Sequence, residues 1–237
     1  MLSQTDRRTY LDMNQPLIDA PRSRAEFEQR FLINLANCEW QPHPRFSVFT
    51  QYDQEHYLSQ AQAFMCKYKC FYAVSKTIAP KKIIELGTCA GSSADAYLSA
   101  APDAEYLGVD LFGVNTRHDD QSRWDPYEIA QQLLESRGFQ KYQLLKVDLR
   151  TLTSLPARAD FVIVDAAHDF DNAYADLKLA MTAHPRFLFV DDADDEKEAK
   201  PAIDQFLLQD INSLIDYTVH ISYQGGGLVI KLNDNEA

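Results

Sequence analysis

The stretch "KKIIELGTCAGSSADAYLS", residues 81–99, sets the reading of the whole chain. An apolar run ends in an acid, Glu85. Two glycines four apart follow, Gly87 and Gly91, and then small hydroxyl residues from Ser92 that open a helix. A strand running into a glycine turn and a helix N-terminus brings bare backbone N–H groups close to a ligand. Thr88 and Ser92 belong to that turn, as helix-capping groups or as part of the ligand cradle. A phosphate loop is excluded, because no GxxxxG-Lys-Ser/Thr is present. A dinucleotide site would need GxGxxG, whereas the pattern here is Gly87-Thr88-Cys89-Ala90-Gly91 with Glu85 at its entrance. A pyrophosphate beside that acid would be repelled. A ligand carrying a cationic amino acid end and a sulfonium would be attracted.

Working outward, short apolar runs alternate with helical stretches from residue 81 onward: "KIIEL", "EYLGVD", "YQLLKVD", "DFVIVD" and "RFLFVDD". The helices between them begin near Ser92, Pro126, Asp171 and Asp195. Strands alternating with crossover helices predict a parallel, doubly wound α/β sheet. "YTVHISYQ" and "GLVIKL", joined around three glycines, read as an antiparallel hairpin added to it. The parallel strands end at Glu85, Asp110, Asp148, Asp165 and the pair Asp191-Asp192. Ligands of such sheets bind outside the carboxyl ends of the strands, so the fold gathers these acids along one rim. Upstream, residues 1–79 read as a helical extension or lid. Ser23 and Glu26 have capping-box spacing, with Phe27, Phe31, Leu32 and Leu35 on one face. A second helix is expected from about His56 to Thr77, stopped by Pro80. The sheet domain takes residues 80–237.

The 237 residues suffice for one sizeable domain. A formal charge of −12 argues against duplex nucleic acid or an anionic membrane as a standing partner. The four cysteines form neither a CxxC pair nor a disulfide framework. The first twenty residues lack the apolar stretch of a signal peptide, and no run is long enough to span a bilayer. A cytoplasmic protein is the expectation, with apolar N-terminal helices available for a homo-oligomer interface.

With these residues in view, the sequence resembles the class I S-adenosylmethionine-dependent methyltransferases. Their first motif, acid-x-Gly-x-x-x-Gly, matches Glu85-Leu86-Gly87-Thr88-Cys89-Ala90-Gly91, and the likeness covers about residues 80 to 232. It implies a Rossmann-like seven-stranded sheet, mostly parallel, with a C-terminal antiparallel hairpin. It also implies that the glycine turn carries the methionine moiety, that Asp110 takes the ribose hydroxyls, and that Asp148 flanks the adenine. Leu111 and Leu149, which follow those two acids, would lie beside the cofactor, as would Asp165.

The second constellation is "FVIVDAAHDFDNAYADLKLA" with "FLFVDDADDE". Neighbouring strand ends supply Asp165, His168, Asp191 and Asp192 near the place of a transferable methyl group. Hard oxygen ligands of this kind suit Mg²⁺ or a similar divalent ion. Such an ion lowers the pKa of a bound hydroxyl, and an imidazole with a pKa of roughly 6.5 can take its proton. The pattern Asp-x-x-His followed by an acidic pair is similar to metal-dependent O-methyltransferases, above all those that methylate sugars of macrolide-type natural products. That likeness implies Asp165, Asp191 and Asp192 as metal ligands and His168 as base, with Asp165 shared between ion and cofactor. Ala166 stands where that branch has glycine, and catechol-type relatives carry lysine at the position of His168. Plainer uses are open to the same residues: Asp165 for the cofactor alone, His168 as a helix cap, and Asp191-Asp192 as the start of a solvated acidic loop.

The expected function is therefore O-methylation of a small-molecule hydroxyl. The polar insert at residues 112–127, with Arg117, His118 and Trp124, would close over the acceptor, with Tyr57 and Gln60 in a lid. The rival readings are a nicotinamide-dependent Rossmann oxidoreductase and a non-catalytic S-adenosylmethionine-binding regulatory subunit.

Overall fold

The computed structural model describes residues 20–44, 61–113, 125–195, 197 and 199–233. Among the described residues, two helices, α1 (Arg24–Ala36) and α2 (Ala61–Ile78), precede the alternating part. There β1 (Lys82–Leu86), α3 (Ser92–Ala100), β2 (Glu105–Asp110), α4 (Pro126–Ser136) and β3 (Tyr142–Lys146) follow in turn. A short 3₁₀ turn, Leu149–Thr151, leads to β4 (Phe161–Val164), α5 (Phe170–Met181), β5 (Phe187–Asp191) and α6 (Ala199–Gln209). A second 3₁₀ turn, Asn212–Leu214, precedes the hairpin of β6 (Ile215–Ile221) and β7 (Gly227–Leu232). The sheet runs β3-β2-β1-β4-β5-β7-β6, parallel as far as β5 and antiparallel at β7 and β6. The seven-stranded sheet expected from the sequence is the one observed. Its order reverses between β1 and β4, which opens the ligand crevice at the carboxyl ends of those strands.

Strand alternation sorts the core into two faces. On β5, Phe187 and Phe189 join Phe71, Tyr97 and Phe161 beneath α2 and α3. Leu188 and Val190 join Leu177, Ile203 and Phe206 beneath α5 and α6. Each such aromatic, fully buried, contributes about 1.5–3 kcal/mol of hydrophobic stabilisation. The same alternation carries Glu85, Asp110, Asp165 and Asp191 to the α2 side, since they continue the stripes of Ile83, Tyr106, Ile163 and Phe189.

Helix starts follow local chemistry. Ser23 caps α1 by accepting from the Glu26 N–H, while the Glu26 carboxylate accepts from the Arg22 N–H. Phe27 and Phe31 are buried, but Leu32 is 63 % exposed, one helical step off the stripe on which it was placed. The last helix begins at Ala199, four residues after the expected Asp195. Pro201 decides this, because proline is tolerated in a first turn and disrupts a helix interior. The start expected for the second helix, near His56, lies outside the described residues; its end at Ile78 precedes Ala79 at φ 50° and Pro80. Among the described residues no helix is long and apolar enough to cross a membrane.

Candidate active site

The turn after β1 is built around one forced approach. Gly87 stands at φ 96°, and a Cβ there would lie 2.0 Å from the Asp165 carbonyl oxygen. Cys89 also takes a positive φ, 46°, without being glycine. That strain is held by Asp110, whose carboxylate accepts from the Cys89 N–H at 2.8 Å and the Phe112 N–H at 2.6 Å. Gly91 is the N-cap of α3 and makes no side-chain cap, so the first N–H groups of the helix face the turn. Ser92 is buried, and the Thr88 hydroxyl lies inward, 3.3 Å from the Tyr106 hydroxyl.

Glu85 is fully buried and accepts from the Tyr106 hydroxyl through Oε2. Its Oε1 makes no hydrogen bond of ordinary geometry among the described residues, though the Ser93 hydroxyl approaches the carboxyl. Burial pushes its carboxyl up to about 7, with the Tyr106 and Ser93 hydroxyls offsetting part of the rise. Asp148, after β3, caps the 3₁₀ turn and binds the Arg150 guanidinium through both oxygens, at 2.8 and 2.6 Å. Leu149 is half-buried and Leu111 is 53 % exposed.

Across the crevice, ligand atoms of Asp165, Asp191 and Asp192 all lie within 4.8 Å of one another. His168 Nδ1 is 3.2 Å from Asp192 Oδ2. Burial and the neighbouring Asp191 hold the carboxyls of Asp165 and Asp192 above the usual range. The loop that carries the acids is braced from the hairpin. Asp192 stands at φ 52°, the Asp194 N–H donates to the Gly225 carbonyl at 2.9 Å, and a Cβ on Gly225 would come within 2.3 Å of Asp192 Oδ1. Asp169 caps α5, and Asp194 pairs with His220 at 2.8 Å.

Two partners of the cluster escaped the sequence reading. Tyr223, from the hairpin turn, donates to Asp191 Oδ1 at 2.5 Å. Lys67, from α2, forms an ion pair with Asp191 Oδ2. Burial works against the Lys67 charge, but Asp165, Asp191 and Asp192 outweigh it and hold its ammonium protonated well above the usual lysine range. The signal was present: Lys67 shares a helix face with Phe71, Val74 and Ile78, all buried. Arg117, His118, Trp124, Tyr57 and Gln60 lie outside the described residues.

No family model and no curated protein matches the chain by sequence. Solved structures do match it in shape. The SAH-bound methyltransferase PaMTH1 of Podospora anserina aligns over 91 % of this chain and 99 % of its own, at TM-score 0.56 and 15 % identity. An SAH complex of an O-methyltransferase from Bacillus cereus covers 86 % and 99 %, at 0.53 and 12 %. TomG of Streptomyces achromogenes, an O-methyltransferase of tomaymycin synthesis bound to SAM, covers 88 % and 99 %, at 0.51 and 15 %. Sheet order, the glycine turn after β1 and these alignments agree that the chain has the class I methyltransferase fold.

Proposed function

We propose that the protein is an S-adenosylmethionine-dependent O-methyltransferase acting on a hydroxyl of a small molecule, a sugar or natural-product scaffold. The observation that carries this is the convergence of His168 and three carboxylates at the strand ends, across the crevice from the Gly87 turn. The turn fits the cofactor: a buried acid stands behind helix N–H groups, and Asp110 lies at its side. Gly87, Thr88, Gly91 and Ser92 would hold the amino acid end, Asp110 with Leu111 the ribose, and Asp148 with Leu149 the adenine. The cofactor supplies a methyl on a sulfonium: its C–S bond breaks as a C–O bond forms, and the electron pair passes to sulfur.

The attacking hydroxyl must lose its proton. His168 Nδ1 faces Asp192, so the tautomer protonated at Nδ1 leaves the Nε2 lone pair to accept it. Asp192 thereby orients the ring and steadies the imidazolium that forms. Asp165, Asp191 and Asp192 are a hard oxygen donor set that fits Mg²⁺ or a similar ion, which when bound would lower the pKa of the acceptor hydroxyl.

Calorimetry with S-adenosylhomocysteine and turnover on a panel of hydroxyl acceptors test the reading together. His168→Ala should lose most turnover, on the order of 10²-fold or more, and keep cofactor affinity. Asp110→Ala should weaken cofactor binding first. No binding of S-adenosylhomocysteine to the unsubstituted chain would overturn the function, and equal loss of binding and turnover in His168→Ala would remove its role as base.

A further inference from the structure

Resting on the divalent-ion reading above, we infer that Lys67 is a tethered competitor for that ion and sets which cations the acid cluster accepts. Both oxygens of Asp191 face groups of the protein: Oδ1 accepts from Tyr223 at 2.5 Å, and Oδ2, which makes no hydrogen bond of ordinary geometry among the described residues, forms an ion pair with the Lys67 ammonium. The Asp191 side chain is 1 % exposed and that of Lys67 17 %, so water does little to loosen the pair. The ammonium is also 5.5 Å from the centroid of the Phe71 ring, and Phe71 packs edge-on against Tyr223. Phe71 and Lys67 lie one turn apart on α2, and Phe71 is fully buried, which fixes where the lysine stem starts.

A cation entering among Asp165, Asp191 and Asp192 must take Asp191 from Lys67. A singly charged ion offers these carboxylates no more than the ammonium already does. A doubly charged ion gains from all three at once, so the lysine biases the cluster toward divalent ions and lowers its affinity for them. The released ammonium stays within reach on its four-carbon stem.

The experiment is Mn²⁺ calorimetry on the full chain, on Lys67→Met and on Lys67→Arg, without acceptor or cofactor. Lys67→Met should bind Mn²⁺ at least ~10-fold more tightly than the unsubstituted chain, about 1.4 kcal/mol. Lys67→Arg, which keeps the charge, should stay close to the unsubstituted chain, and Asp191→Asn should cancel the gain of Lys67→Met. Unchanged or weaker binding in Lys67→Met, or no binding in any variant, overturns the competition. Should Lys67→Met fail to give a folded protein by circular dichroism, Lys67→Gln is read by the same criterion. S-adenosylhomocysteine titrated into the same samples separates the two claims. Its binding without a Mn²⁺ gain sinks only the role of Lys67, and a Mn²⁺ gain without its binding sinks only the methyltransferase reading.

Discussion

At Gly87 a positive φ and the Asp165 carbonyl act together, so a methyl group there must displace either the turn or the start of the acid loop. Gly87→Ala should destabilise the protein by about 3 kcal/mol or more, read as a lower urea midpoint; a midpoint within about 0.5 kcal/mol of the parent would mean the two backbones are not locked. Glu85, two residues upstream, carries a different cost. Its carboxyl stands near 4.5 in the unfolded chain and about 7 in the fold, so the fold keeps a proton that the unfolded chain has released. The stability tied to that proton is complete below about pH 4.5 and is lost as pH rises through about 7, roughly 3 kcal/mol in all. Glu85→Gln, which still accepts from Tyr106, should therefore melt higher than the parent at pH 8 and bind S-adenosylhomocysteine less well. Equal melting temperatures at pH 8 would show that the buried acid is not a burden.

Among elements, the strands were the most legible, because short apolar runs that each end in an acid put those acids along one rim of the sheet. Helix α6 was less so, since the acidic run before it resembles a cap and only Pro201 marks the true first turn. Lys67 was missed for a related reason: a lysine within a helix ordinarily reads as a stem that reaches out to water. Tyr223 depends on a hairpin turn whose contacts lie far away in sequence. One link between elements was equally invisible. Arg137, at the end of α4, binds buried Asp95 of α3 at 2.7 and 2.8 Å and the Gln41 carbonyl at 2.5 Å, while the Trp40 indole N–H reaches Asp95 at 3.1 Å. This cluster ties the segment after α1 to the sheet domain. Arg137→Met leaves the Asp95 carboxylate with its cation gone and should cost about 3 kcal/mol in urea unfolding. A loss under about 1 kcal/mol would show that Trp40 alone suffices.

For the molecule as a whole, a charge of −12 and a crevice lined with acids act in the same direction. Burial raises the carboxyls of Asp165, Asp176 and Asp192 as well as that of Glu85, with Asp176 reaching about 6. Each of them withdraws stability as pH climbs out of the carboxylate range, and a cation held by Asp165, Asp191 and Asp192 would offset the share that belongs to that cluster. The brace from the hairpin turn has one more consequence. Asp191 takes its partners from Lys67, far earlier in the chain, and from Tyr223, far later, while the loop after it is braced by Gly225 through the Asp194 N–H. During synthesis, which proceeds from the N-terminus, the glycine turn and the first strands can collapse while the acid loop still lacks Tyr223 and its glycine brace. The nascent chain would thus complete the glycine turn before the acid loop has all of its partners.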